Sequence, residues 1–388
     1  MTTATETVLV IGAGPAGLAV AAELRQRGVR AEIIERNGVV GSAWRLRYDR
    51  LRLNTCRWNS MLSGDRFPKG TQLFPVRDEY VRYLESYVTR HDLPVRFGIQ
   101  VDRIDRCDDV WRLATSAGDL TARHVIVATG HQHTPRMPDW PGLPEYQGRL
   151  VHSAEYRNPD QFRDADVLVA GAGSSAMDIA YDLAQGGAAR VRVSVRSQPH
   201  MLMRASGPLP TDLLAWLVLF RIPTRLADPL ARSVRRWTIG DLAPWGLTEP
   251  REGLLTHMHR TGRTPTLVDG MVIEAIRTRR FEIVPDISAV TSVGVRLADG
   301  TALRPDAIIA ATGFGTGLEP IVGHLGVLDA RGRPLAFGGP AVAPGLRFTG
   351  YVPNIRNLDQ EARSVAKQVS RELAATEPAS RMLTAVSR

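Results

Sequence analysis

Gly12, Gly14 and Gly17 stand in the order G-x-G-x-x-G within GAGPAG, residues 12–17. In such a turn the first glycine permits the sharp bend and the second lets the backbone come up to a pyrophosphate. The third lets the following helix pack tightly on the strand. Pro15 and Ala16 complete the turn, and the helix N-terminus beyond it offers free N–H groups and a favourable dipole to a diphosphate. Glu35, followed by Arg36, lies 35 − 17 = 18 residues after Gly17. There a carboxylate takes ribose hydroxyls. A second turn, GAGSSA at residues 171–176, repeats the pattern with Gly171, Gly173, Ser174 and Ser175, and with Ala176 as its third small residue. Its second strand ends in Arg196-Ser197 where the first ended in Glu35. An arginine there accepts a 2′-phosphate that a carboxylate repels, which points to NADPH. A solvated strand-end arginine in an Arg-rich chain is the competing explanation.

Two dinucleotide turns of different specificity imply a relay in which one nucleotide donates hydride and the other passes electrons on. A flavin is the natural occupant of the first turn, because transfer between two nicotinamides gains little. Cys56 and Cys107, the only cysteines, form no Cys-x-x-Cys pair, so a dithiol relay and a disulfide framework are excluded. No metal site is expected. The remaining electron acceptors are molecular oxygen, an external carrier and the substrate itself.

These turns must be carried on βαβ units. Thr7–Ile11 (TVLVI) and Ala31–Ile34 (AEII) read as strands around a helix that stops at Gly28. Asp166–Ala170 (DVLVA) and Arg190–Val195 (RVRVSV) flank a second helix in the same way. Two further apolar strands run into Ala-Thr-Gly: His124 to Gly130, bringing Ala128, Thr129 and Gly130, and Ala307 to Gly313, bringing Thr312 and Gly313. The second βαβ unit lies between them. The expected fold is therefore α/β, with two Rossmann-like dinucleotide-binding domains and the NADPH domain inserted into the FAD domain. The FAD-binding domain is expected over 1–149 and 314–388, ending in a helix from Asn357 to about Ala374. The NADPH-binding domain is expected over 150–313, with a helical segment near 207–258 that carries Trp216, Trp237 and Trp245. That segment reads as a cover of the inserted domain, a substrate lid, a dimer surface or a peripheral membrane contact.

The 388 residues are 44 % hydrophobic and 23 % charged, ordinary for a globular chain of two or three domains. The net charge is +9. Lys69 and Lys367 are the only lysines, so 49 − 2 = 47 of the basic residues are arginines scattered along the chain. The scatter argues against a nucleic-acid partner. The polar N-terminus lacks a signal-peptide pattern. The apolar run Leu213 to Phe220 falls far short of the roughly 20 residues of a spanning helix. A cytoplasmic enzyme without integral membrane contact is expected, with a homodimer left open.

Several segments together resemble the flavin-containing monooxygenases, especially the short YUCCA-like branch and its bacterial relatives. Tyr146 to Tyr156 is similar to that family's F-x-G-x-x-x-H-x-x-x-[YF] signature, with Tyr146 replacing the leading phenylalanine and His152 at the histidine position. Gly41-Ser-Ala-Trp44-Arg45 is similar to its GG-x-W segment. Tyr48 to Thr55, followed by Phe67-Pro68, is similar to the stretch that carries an asparagine beside the flavin, and Ala311 to Phe314 to its late ATG-[YF] motif. The resemblance spans Val8 to about Lys367. It implies an NADPH-dependent flavoprotein monooxygenase in which NADPH reduces FAD and O2 forms a C4a-hydroperoxyflavin. One oxygen atom then passes to a small organic substrate at N, S or a 2-oxo acid carbon. The alternative is an FAD-dependent NADPH reductase that serves a carrier protein. Under the resemblance Asn54 is the catalytic residue near the flavin. Gly41, Trp44 and Val101 join the cofactor-binding set, and His152 and Tyr156 serve positioning and packing. The N-terminus of the last helix, near Asn357 and Leu358, would face the flavin's pyrimidine edge.

Overall fold

The structure, a computed structural model, describes residues 6–207, 209–352 and 356–385. The reading of the first five residues, Pro208, residues 353–355 and 386–388 of the expected domains, and the side chain of Trp216 lie outside the described residues.

The chain begins with β1 (Glu6–Ile11), α1 (Pro15–Gln26), β2 (Glu32–Glu35), β3 (Val95–Phe97) and β4 (Leu120–Val127). It passes through β5 (Thr134–Pro135) into β6 (Arg149–His152), β7 (Asp166–Ala170), α2 (Ser174–Gln185) and β8 (Arg190–Val195). Helices α3 (Thr211–Leu217) and α4 (Thr224–Thr238) follow, then β9 (Glu282–Pro285) and β10 (Ala307–Ala310). The chain returns through β11 (Phe314–Gly315) to β12 (Leu346–Phe348) and α5 (Asn357–Ala385).

β12, β4, β1, β2 and β3 pair in that order, all parallel, in the first sheet. In the second, the parallel order is β9, β8, β7, β10 and β6. Continuous apolar runs such as TVLVI suit strands covered on both faces, and Leu9 and Val10 are fully buried. On one face of the first sheet α1 packs through Leu18, Ala22 and Leu24 against Leu358, Ala362 and Val365 of α5. α5 runs past the expected Ala374, through Pro378, to Ala385.

Both passages between the sheets use one antiparallel ribbon, in which Thr134 pairs with Gly315 and Pro135 with Phe314. The first crossing lies between the first Ala-Thr-Gly and the expected boundary at 149/150. Arg149 already opens β6 of the second sheet, and Trp140, Leu143 and Tyr146 pack on the second sheet's side against Val290 and Val295. Two clasps hold the ribbon. Thr312 Oγ1 donates to the Arg136 carbonyl at 2.5 Å, and His152 Nε2 donates to the Gly313 carbonyl at 3.0 Å.

Candidate active site

The two glycine turns have the same geometry. Gly12 (φ +108°) and Gly171 (φ +132°) occupy backbone space that side chains avoid. A Cβ on Gly12 would stand 2.8 Å from the Ala128 carbonyl, and one on Gly171 would stand 2.5 Å from that of Ala311. Thus each turn presses on the end of the neighbouring strand. A Cβ on Gly17 would lie 2.0 Å from the Gly12 carbonyl oxygen, which forces glycine there. Gly14 and Gly173 are different: no protein atom lies within 4 Å of a Cβ built on either. Each caps its helix without any side-chain cap. The first-turn N–H groups therefore face open space that suits a phosphate.

Around the first turn opens a cavity of about 880 Å³ lined by Gly12, Gly14, Glu35, Arg36, Val101, Ala128 and Thr129. Pro15, Ala16, Gly17, Gly41, Trp44, Gly130 and Asn54 stand outside its lining. Trp44 packs edge-on against Tyr80 at 4.8 Å. Buried Glu35 accepts from the Ala13 N–H (2.9 Å), the Asn37 N–H (3.0 Å), Asn37 Nδ2 (3.1 Å) and Ser42 Oγ (3.2 Å). Only the first of these goes to Oε2, which keeps capacity for a ribose hydroxyl. Arg36 donates to His133 Nε2 at 2.8 Å. Burial, aided by the Arg36 charge, holds the His133 ring below the ordinary imidazole range. Arg47 stacks 4.2 Å above the Phe314 ring and donates to Gln132 Oε1 at 3.0 Å. Arg36, Arg47, Arg136 and Arg331 against Glu35, Asp102 and Glu319 leave the lining net positive, as a diphosphate requires.

At the second turn, Ser174 Oγ accepts from the Leu267 N–H at 2.9 Å, and Thr266 Oγ1 donates to the Ala172 carbonyl at 2.8 Å. The strand Thr266–Val268 is thereby docked on the turn. Ser175 follows on α2, while Arg196 and Ser197 are exposed just beyond β8. Among the described residues Arg196 makes no ion pair or hydrogen bond. Thr312 and Gly313 stand at the ribbon beside the main cavity, outside its lining.

Between the sheets lies a buried polar network. Tyr48 donates to Asp178 Oδ2 at 3.1 Å, and Arg204 lies 3.7 Å from that carboxylate. Arg204 also donates to Asp269 at 2.5 Å and to Asn54 Oδ1 at 3.4 Å. Burial raises Asp178 to about 6 against the opposing pull of Arg204 and Tyr48. Asn54 is exposed, on the loop beside this network. Asp212 of α3 accepts from the Cys56 N–H at 3.1 Å and from Asn59 Nδ2 at 2.6 Å, tying the helical segment to the same loop. Burial and Asp212 push the Cys56 thiol to about 11, so it is no thiolate at neutral pH.

His152 has both ring nitrogens engaged. Nε2 donates to Gly313, so Nδ1 is the acceptor of the Ala154 N–H at 3.1 Å. Burial lowers its pKa below the ordinary 6.5. As pH falls the unfolded chain takes up this proton first, so the stability His152 contributes is complete above 6.5 and is lost below it. Urea unfolding between about pH 7.5 and about pH 5.5 should show a loss that His152→Leu reduces, on top of a cost near 2 kcal/mol for its two severed bonds. Equal pH slopes in the two proteins would contradict this.

Arg47 and His133 escaped the sequence analysis. Their positions carry a signal, since both follow closely on recognised motifs (Gly41–Arg45 and the first Ala-Thr-Gly). Loops at the carboxyl ends of parallel strands are where ligands bind.

A cavity opens on one glycine turn, and a second turn of the same geometry lies on the inserted part of the chain, the arrangement of a protein with two dinucleotide-type turns. Residues 9–207 match the pyridine nucleotide-disulphide oxidoreductase family. The chain is 36 % identical over 310 residues to indole-3-pyruvate monooxygenase YUCCA1 of Oryza sativa subsp. japonica, covering 79 % of this chain and 76 % of that one. Its fold is similar to the flavin-containing monooxygenase from Stenotrophomonas maltophilia (TM-score 0.75, 23 % identity, 95 % of this chain and 99 % of that one). It is also similar to NADP+-bound cyclohexanone monooxygenase from Rhodococcus sp. Phi1 (TM-score 0.73, 20 % identity, 97 % and 85 %). The chain belongs to the class B flavin monooxygenases. It is an NADPH-dependent enzyme that uses FAD and O2 on a small organic substrate. The carrier-reductase alternative is not better supported. No helix among the described residues is long and apolar enough to cross a membrane.

Proposed function

We propose that the substrate is a 2-oxo acid with an aromatic side chain, of the indole-3-pyruvate type. The observation that carries this is the 36 % identity, over most of both chains, to a plant enzyme named for that substrate. The overall reaction balances as 2-oxo acid + O2 + NADPH + H+ giving the carboxylic acid one carbon shorter, CO2, H2O and NADP+. Bound FAD supplies the oxygen activation, which no side chain of the protein provides.

The chain's own residues bind, orient and exclude water. We assign the first turn, with Gly12, Gly14, Glu35, Arg36, Ala128 and Thr129, to FAD, and the second, with Gly171, Gly173, Ser174, Ser175, Arg196 and Ser197, to NADPH. The fit rests on the open space above Gly14 and Gly173 and on the two uncapped helix ends. The FAD domain then comprises the first sheet with α1 and α5, and the NADPH domain the chain between the ribbon strands. Asn54 is assigned to the reacting edge of the flavin. Its Oδ1 accepts from Arg204, which leaves Nδ2 free to donate towards the reaction. The helical segment is tied to that same loop through Asp212.

The test is turnover of indole-3-pyruvate with NADPH under 18O2. One labelled atom should appear in indole-3-acetate with stoichiometric CO2. NADPH oxidation that yields only peroxide with this acid, alongside clean oxygenation of an amine or sulfide, would reassign the substrate class. Arg196→Ala should raise the KM for NADPH by about tenfold to a hundredfold, the loss of one charge-assisted phosphate contact, and leave the KM for NADH nearly unchanged. Equal effects on both nucleotides would remove Arg196 from the 2′-phosphate site.

A further inference from the structure

The helical segment wears its apolar residues on the outside. In α4 the small side chains Ala227 and Ala231 turn inward onto Leu202, Leu254 and Leu255. Leu226, Leu230 and Trp237, at i, i+4 and i+11, form a stripe on the outer face and are 58 %, 39 % and 81 % exposed. Leu217 at the end of α3, and Val218 and Phe220 between α3 and α4, are also exposed, and the turn that carries Phe220 packs against α4. The patch is therefore continuous, and a patch of this kind marks an interaction surface.

The charges around it select the partner. Arg225, Arg232 and Arg236 sit one residue before Leu226, Ser233 and Trp237, so they form a parallel row along the edge of the stripe. Residues 209–238 hold five arginines and two aspartates, 5 − 2 = +3. Both aspartates are spent inward, and of the five arginines Arg235 is buried as well, so it adds nothing to the outer face. Asp212 accepts from the Cys56 N–H and Asn59, and Asp228 from the Leu255 N–H and Thr256, both at 2.6 Å. Arg232 and Arg236 share Glu249, and Arg225 makes no ion pair among the described residues. Against a second copy of the chain, this face would set two cationic rows together in a molecule whose net charge is already +9.

We propose that this face docks on an anionic lipid bilayer. Leu226, Leu230, Phe220 and Trp237 enter the boundary between headgroups and acyl chains, and the Arg225 row lies against lipid phosphates. A strongly amphipathic helix with tryptophan and leucine on one side and arginines beside them is the form that lies in this boundary. The inner side of the segment, through Asp212, roofs the loop of Asn54, so docking would bring that roof within reach of apolar molecules held in the bilayer.

The test is flotation of the FAD-loaded full chain with phosphatidylcholine vesicles, and with the same vesicles carrying about one third phosphatidylglycerol. The protein should float with the anionic vesicles, release at high salt, and stay behind with the neutral ones. L226E/W237E should abolish flotation. R225E changes two units of charge, so at roughly fivefold per charge near an anionic surface it should weaken partitioning about 25-fold. Both variants should retain flavin and solution NADPH oxidation, which separates lost docking from lost folding. Failure to float with either vesicle, or equal and salt-insensitive flotation with both, would overturn the proposal. So would a dimer in light scattering that L226E/W237E converts to a monomer, which would assign the face to a second copy.

Discussion

Gly14→Ala should yield a folded protein whose flavin binding is weakened, whereas Gly17→Ala should yield no stable protein. The contrast follows from what a single methyl group meets. At Gly17 it would stand 2.0 Å from the Gly12 carbonyl oxygen, and neither that oxygen nor the helix can withdraw without opening the turn. A backbone clash of this severity belongs with the rare substitutions that cost more than about 4 kcal/mol. At Gly14 the methyl meets no protein atom within 4 Å. The apoprotein should therefore unfold within about 0.5 kcal/mol of the parent. The methyl does occupy the space through which a diphosphate must approach the α1 N-terminus. Losing one or two charge-assisted hydrogen bonds there should weaken FAD binding by tenfold or more. Flavin absorbance per protein, circular dichroism and urea unfolding read the two effects separately. A Gly14→Ala protein with its full complement of flavin would move the FAD site away from this turn.

Arg204→Leu should cost about 3–5 kcal/mol, because it leaves Asp178 and Asp269 facing one another without their cation. Asp178→Asn should cost much less, since an amide still accepts from Tyr48. The combined Arg204→Leu/Asp178→Leu protein should recover much of the loss, as buried ion pairs replaced whole usually do. Acidification should also help Arg204→Leu alone. Asp178 already titrates near 6 in the folded chain, and without Arg204 its pKa rises further above its unfolded value. The folded state then binds more protons, and stability grows as pH falls through that range. Thermal unfolding of these four proteins and of Asp178→Leu at two pH values tests this. Additive losses in the double variant would show that the network is not a coupled unit.

The parts of this enzyme that were legible in the sequence are those encoded by short-range pattern. Each glycine turn lies within six residues and each strand beside it is a continuous apolar run, so β1, β7 and β8 fall where the residues place them. The Tyr48–Asp178–Arg204–Asp269 network was not legible. Its hydrogen bonds span separations of 130 and 65 residues, and nothing local marks a tyrosine or an aspartate as the partner of a distant arginine. The helical segment shows a third case. Helical period identifies an apolar stripe and says nothing of which way it points. In α4 the alanines close the core and the leucines face outward, a choice made by the close approach of the helix to Leu254 and Leu255.

The ribbon of Thr134–Pro135 against Phe314–Gly315 means that the inserted domain enters and leaves through one pair of adjacent two-residue strands. Strands paired in this way stand about 4.8 Å apart. For the host domain, everything between them amounts to the tip of one hairpin. An ancestral hairpin loop at this place could accept a whole nucleotide-binding unit without parting the host strands on either side. The unit in turn has neighbouring ends, as an excisable or permutable module requires.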